Sequence, residues 1–94
     1  MVLKFPPWGD DPVFEWDDFN ALKIATKHNI QDFEIEQCFE NEHEIVPHPK
    51  ATPEPDKFGD RYYVRGRTYG GRKLLIVVQH LGENFVRPVT AWDE

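Results

Sequence analysis

Between Asp60 and Val89 the chain reads DRYYVRGRTYGGRKLLIVVQHLGENFVRPV, and the spacing of its apolar residues settles what kind of fold is possible. Arg61, Tyr63, Arg65 and Arg67 alternate with less polar neighbours, the period of a half-buried strand. Gly70-Gly71 and Gly82 punctuate the apolar runs that follow, so the stretch is predicted to form three antiparallel strands joined by tight turns. Two-residue loops at Gly70-Gly71 and Gly82-Glu83 would set Tyr69 opposite Arg72, Arg61 opposite His80 and Val78 opposite Arg87. This register gathers Arg61, Tyr63, Arg65, Arg67, His80 and Arg87 on one face, with Leu74, Ile76, Val78, Phe85 and Val89 among them. Tyr62, Val64, Leu75, Val77 and Val86 form the other face, which is expected to receive helices. A slip of one residue in either hairpin would turn the slipped strand over.

Upstream, Pro6, Pro7 and Pro12 forbid regular helix in residues 1–12, which read as a proline-rich arm pinned by Trp8. Val13 to Trp16 suits a short strand. Asp17 or Asp18 then caps a helix reaching His28, with Phe19, Leu22 and Ala25 expected on its buried side and Asn29 as a left-handed terminator. A second helix is expected from near Gln31. Ile30 and Ile35 are spaced as a hydrophobic staple, Glu34 stands at the third helical position, and Ile35, Cys38 and Phe39 continue the apolar stripe. Glu44 to Val46 reads as another strand, and the prolines at 47, 49, 53 and 55 as an extended loop over 47–57. The expected fold class is therefore α+β, with two N-terminal helices packed on an antiparallel sheet in a single domain of 94 residues.

The net charge of −6 hides a division: residues 1–56 carry four basic and thirteen acidic side chains, residues 57–94 seven and four. An acidic part beside a basic part suits one anionic ligand and one cationic partner. The single cysteine, Cys38, excludes an internal disulfide and fits a reducing compartment; on the helical stripe it is expected to be packed rather than reactive. The longest apolar run, Leu74 to Val78, is far too short to span a bilayer, and no signal-like segment follows Met1, so the expected location is the cytoplasm.

The arginine face carries the chemistry. Guanidinium forks hold phosphate and offset charge in a phosphoryl transition state, a histidine moves protons near neutral pH, and a tyrosine such as Tyr63 stacks on a base. Other chemistries fit poorly. The chain has no serine for a serine triad, no glycine-rich loop leading into a helix, and no zinc-like spacing among His28, His43, Glu44, His48 and His80. No metal or cofactor is expected.

Phe14-Glu15-Trp16-Asp17, Lys27-His28-Asn29-Ile30, Cys38-Phe39, Arg61, Gly66-Arg67-Thr68, Arg72 with Leu74 to Val78, and Val86-Arg87 through Ala91, taken in order, resemble the BrnT family of toxins. The resemblance runs from Val13 to Ala91. It implies a RelE-like fold, metal-independent cleavage of RNA that arrests growth, and neutralisation by a BrnA-type ribbon-helix-helix antitoxin in a hetero-oligomer. Carried across by motif, it also places Lys27 and His28 on the family's Lys-His-Gly element and Arg61, Arg72 and Arg87 on its arginine positions as phosphate holders; the derived face adds RNA contacts at Tyr63, Arg65 and Arg67 and offers His80 beside His28 as proton carrier.

Two departures stand out. Asn29 replaces the glycine of the family's Lys-His-Gly element. An Ile-Ser-Ala-Arg-like element leading to a basic C-terminal helix is replaced by Val89-Thr90-Ala91-Trp92-Asp93-Glu94, so the usual C-terminal helix is missing and Trp92 stands for an arginine. Loss of one transition-state contact is worth about 10² to 10³ in rate. A non-catalytic RNA-binding or protein-interaction module on the same fold is therefore the alternative.

Overall fold

A computed structural model describes residues 6–94; the first part of the proline-rich arm, residues 1–5, lies outside the described residues. The chain forms β1 (Val13–Phe14), α1 (Asp18–His28), α2 (Asp32–Glu40), β2 (Glu44–Pro47), α3 (Pro55–Phe58), β3 (Arg61–Arg67), β4 (Lys73–Gly82) and β5 (Phe85–Asp93). The five strands make one sheet in the order β1-β5-β4-β3-β2, antiparallel except where β1 runs parallel to β5. This is the expected α+β class.

Local chemistry places the helices. Asp17 caps α1 by accepting from the Asn20 amide, and Asn29 ends it at φ 54°. The Glu34 carboxylate accepts from the Gln31 amide at the start of α2, as its position predicts. Ile24, Ile30, Ile35 and Cys38 are buried against Val64, Leu74, Ile76, Val78 and Val86. Trp8 joins this core from the arm, with its ring 5.3 Å from Tyr62 and 6.0 Å from Phe39. The phase of α1 differs from expectation: Asn20 and Ile24 face inward, whereas Phe19 and Leu22 are exposed. Burial of an amide in place of a phenyl ring is possible because Asn20 meets four backbone groups, described below.

The hairpins correct the predicted register. Thr68 N–H donates to Arg72 O and Gly71 turns at φ 89°, leaving a three-residue loop Tyr69–Gly71 where two residues were expected. Arg61 consequently faces Gln79. The second loop is Glu83-Asn84, one position beyond the expected pair, and a register shift between His80 and Gly82 then sets Arg87 opposite Gln79. Each slip turns β4 over relative to a neighbour, so Leu74, Ile76 and Val78 pack toward the helices and Leu75 and Val77 join the arginines. For β5 the two slips cancel. Arg61, Tyr63, Arg65, Arg67 and Arg87 thus share a face as predicted, and His80 does not.

Close approach of α2 to β3 depends on Gly66. A Cβ built there would sit 2.8 Å from Cys38 Cβ and 2.9 Å from the Cys38 carbonyl oxygen. Gly66→Ala is expected to lower stability by about 1–3 kcal/mol, the cost of overpacking. Cys38→Ala should not rescue it, because the clash is with Cβ and backbone. An unchanged denaturant midpoint for Gly66→Ala would contradict this packing.

Candidate functional site

The sheet face away from α1 and α2 carries Arg61, Tyr63, Arg65 and Arg67 on β3, Lys73, Leu75, Val77 and Gln79 on β4, and Arg87, Thr90 and Trp92 on β5. Glu44 and Val46 of β2 complete it. Leu75 and Val77 are nearly covered, so the face has an apolar floor with a charged margin.

The arginines on and around this face differ in availability. Arg87 is held by Glu15 at 2.8 Å and Asp17 at 3.0 Å. Arg65 lies between Glu94 at 2.7 Å and Glu44 at 3.5 Å. Arg72, at the end of the β3–β4 hairpin, forms a two-pronged pair with Asp93, contacts Glu34, and donates to Asn29 O at 2.9 Å. It thereby ties the last carbonyls of α1 to α2 and β5. By contrast Arg61, Arg67 and Lys73 have no ion pair among the described residues.

Arg61 has the most unusual surroundings. Its Nε is buried without a hydrogen-bond partner, and its guanidinium carbon lies 5.6 Å from the centre of the Phe58 ring. Lys50 Nζ is 5.5 Å from the same centre. His48 stacks on Phe58 at 4.5 Å and 21°, and meets Tyr63 edge-on at 5.0 Å. Burial, then the charges of Arg61 and Lys50, hold the His48 pKa below its usual value. At the other end of β3, Arg67 faces Lys73 across the strands, beside an open groove lined also by His43, Thr68, Glu44 and Glu94.

The remaining predicted residues are dispersed. His80 lies on the helix side, 6.1 Å from the Trp8 ring, with Nε2 donating to Glu83 O; the predicted register had placed it beside Arg61. His28 ends α1, near the Arg72–Asp93 pair, and Lys27 is exposed one residue before it. Neither histidine adjoins the open face. Residues 47–57, read from the prolines as an extended loop, instead lead into α3, which ends at Phe58, and the segment brings His48 and Phe58 onto Tyr63 and Arg61. Pro55 at the first helical position was the available signal, since its fixed φ favours that place. Cys38 is packed as expected, and burial pushes its thiol up to about 11. Among the described residues, no three His, Cys, Asp or Glu side chains gather as a metal would require, and no helix is long and apolar enough to cross a membrane.

The paired arginines make stability sensitive to acid. Hydrogen bonds from Arg72 and Arg87 hold the carboxyls of Asp93 and Asp17 below the usual value of 3.8. Their contribution is complete above that value and disappears as pH falls through the lower folded-state values. Both carboxylates are exposed, so solvent screens the effect. Arg72→Gln is expected to flatten the dependence of unfolding on pH below 4 without altering its form above 5. Circular dichroism melts across that range would test this, an unchanged acid slope counting against it.

No family model and no curated protein sequence matches the chain. Its architecture does match that of a ribonuclease toxin of known structure. That protein is BrnT of Brucella abortus, whose crystal structure aligns over 88% of this chain and 94% of its own, with a TM-score of 0.62 and 12% sequence identity. The likeness establishes a shared fold.

Proposed function

We propose that this chain is a BrnT-like toxin of a type II toxin–antitoxin system, a metal-independent endoribonuclease acting in the cytoplasm and neutralised by a BrnA-type ribbon-helix-helix antitoxin. The observation that carries the reading is Arg61. On a fold shared with a ribonuclease toxin, it is a cation with a buried, unpartnered Nε on the open face of the sheet. An RNA phosphodiester would supply the missing anion, and charge building on it during 2′-oxygen attack would be offset by the guanidinium. Tyr63 offers an adjacent ring for a base, and Arg67 extends the cationic line along β3, joined by Arg65 where RNA displaces its Glu94 and Glu44 partners.

The roles proposed for Arg72 and Arg87 need their carboxylates to be displaced by RNA, because each is already paired. This favours the second reading, an RNA-binding or protein-interaction module without cleavage, at the expense of a three-arginine site. Inducible expression in a bacterium distinguishes the two: the toxin reading expects growth arrest, relieved by a co-expressed cognate antitoxin. Normal growth with abundant folded protein, together with intact RNA after incubation with the purified chain, would leave only the second.

A further inference from the structure

We propose that His48, Lys50 and Arg61, assembled around Phe58, form a phosphate-binding subsite that takes one phosphoryl group of an RNA strand. The proposal rests on the reading of the open face as the RNA-facing one and names the group that anchors the strand there.

Three observations support it. First, two cations and a histidine are held around one ring in a chain with a net charge of −6, and neither cation has a carboxylate partner among the described residues. Contact with the ring offsets part of that repulsion but leaves guanidinium and ammonium hydrogen-bond donors unused. Asp60, the nearest acid in sequence to Arg61, is instead engaged by Gln79 Nε2 at 2.8 Å. Second, the Arg61 Nε is shielded from solvent without an acceptor, so the side chain carries a charge that no group of the chain answers, and an anion would meet it through the terminal N–H groups of the guanidinium.

Third, the His48 tautomer is fixed. Its Nδ1 accepts from the Lys50 backbone amide at 3.0 Å, so the proton of the neutral ring resides on Nε2. That ring offers a donor and has no free lone pair to act as base. The segment is also held in place, since the His48 amide donates to Arg61 O at 3.0 Å and ties the loop to the strand bearing the arginine. All three side chains therefore present donors, the complement of an anion with several acceptor oxygens. Tyr63, edge-on to His48, stands where a base attached to that phosphate would meet a ring.

The test uses the full chain, inorganic phosphate and then a short unstructured oligoribonucleotide, with the ring signals of all four histidines followed by NMR. The expected result is a saturable shift of His48 with both probes, no shift of His28 or His80, and at least a tenfold weaker affinity in Lys50→Ala and in Arg61→Ala. Lys50 is exposed, so its variant reports on binding even if loss of Arg61 disturbs packing. Absence of a His48 response, undiminished affinity in Lys50→Ala, or loss of affinity only in Arg67→Ala with Lys73→Ala would overturn the subsite, the last by placing the phosphate in the groove. RNA cleavage without a His48 response defeats the subsite alone. A His48 response without cleavage supports the subsite and defeats the nuclease reading alone.

Discussion

Arg61→Ala is expected, on the proposed nuclease reading, to slow cleavage of single-stranded RNA by about 10² to 10³, the scale of losing one preorganised donor to a developing oxyanion, without lowering the thermal midpoint. The second half of that expectation is what separates Arg61 from its neighbours. Removing Arg87 would strand Glu15 and Asp17, and removing Arg72 would strand Glu34, Asp93 and the Asn29 carbonyl, so both variants should lose stability. Removing Arg61 strands no carboxylate and eliminates a buried donor that has no acceptor. Arg61→Lys keeps the charge but loses the planar fork, and should recover only part of the rate. Cleavage rates and melting curves measured on the same preparations decide the matter. A rate within twofold of wild type for Arg61→Ala would remove this residue from the chemistry, and a large fall in melting temperature would show that its role is structural.

The sequence carried the strand period more clearly than the strand phase. Alternation along β3 is unmistakable because arginine and tyrosine interrupt the apolar positions, and those residues do share the open face. Leu74 to Val78 has no polar interruption, and the structure buries all five residues on both faces of β4. Such a run is compatible with either orientation, so its phase came only from the length assigned to the Gly70-Gly71 turn. A three-residue loop in place of two moved His80 to the helix side. Arg87 stayed with the arginines because the second hairpin slipped as well. The site itself was less legible. His48 and Phe58 stand ten positions apart among prolines, and their stacking depends on α3 folding back onto β3, a tertiary arrangement with no period to announce it. Arg72 and Arg87 resembled ligand-binding residues in a list of charges. Only the folded chain shows their carboxylate partners, contributed by residues 21 to 72 positions away.

The same tertiary override governs the other large effect, at Asn20. Read as a sequence, α1 offers Phe19 and Leu22 for burial and Asn20 for solvent; in the fold, Phe19 is 74% exposed and Asn20 is 2% exposed. The amide is buried because each of its atoms is used. Nδ2 donates to Glu15 O at 3.0 Å and to Pro88 O at 2.9 Å, while Oδ1 accepts from the Asp17 and Ala21 amides. One side chain thus joins the entry to α1, the segment after β1, and β5, where Pro88 can donate nothing of its own. Asn20→Leu keeps the branching at Cγ but leaves these backbone groups unanswered in a buried setting, at roughly 3 kcal/mol or more. For a chain of this size that corresponds to a melting temperature lower by about 12–24 °C. Asn20→Asp should be no better above pH 4, since a second carboxylate oxygen would face the Glu15 and Pro88 carbonyls where a donor is required. Phe19→Ala, a far larger loss of apolar surface on paper, should change stability by no more than about 0.5 kcal/mol because that ring is already in water. Thermal melts of Asn20→Leu beside Phe19→Ala therefore invert the usual ranking of the two residue types. The opposite order would mean that α1 is rotated from the orientation described here, with Asn20 no longer reaching Pro88.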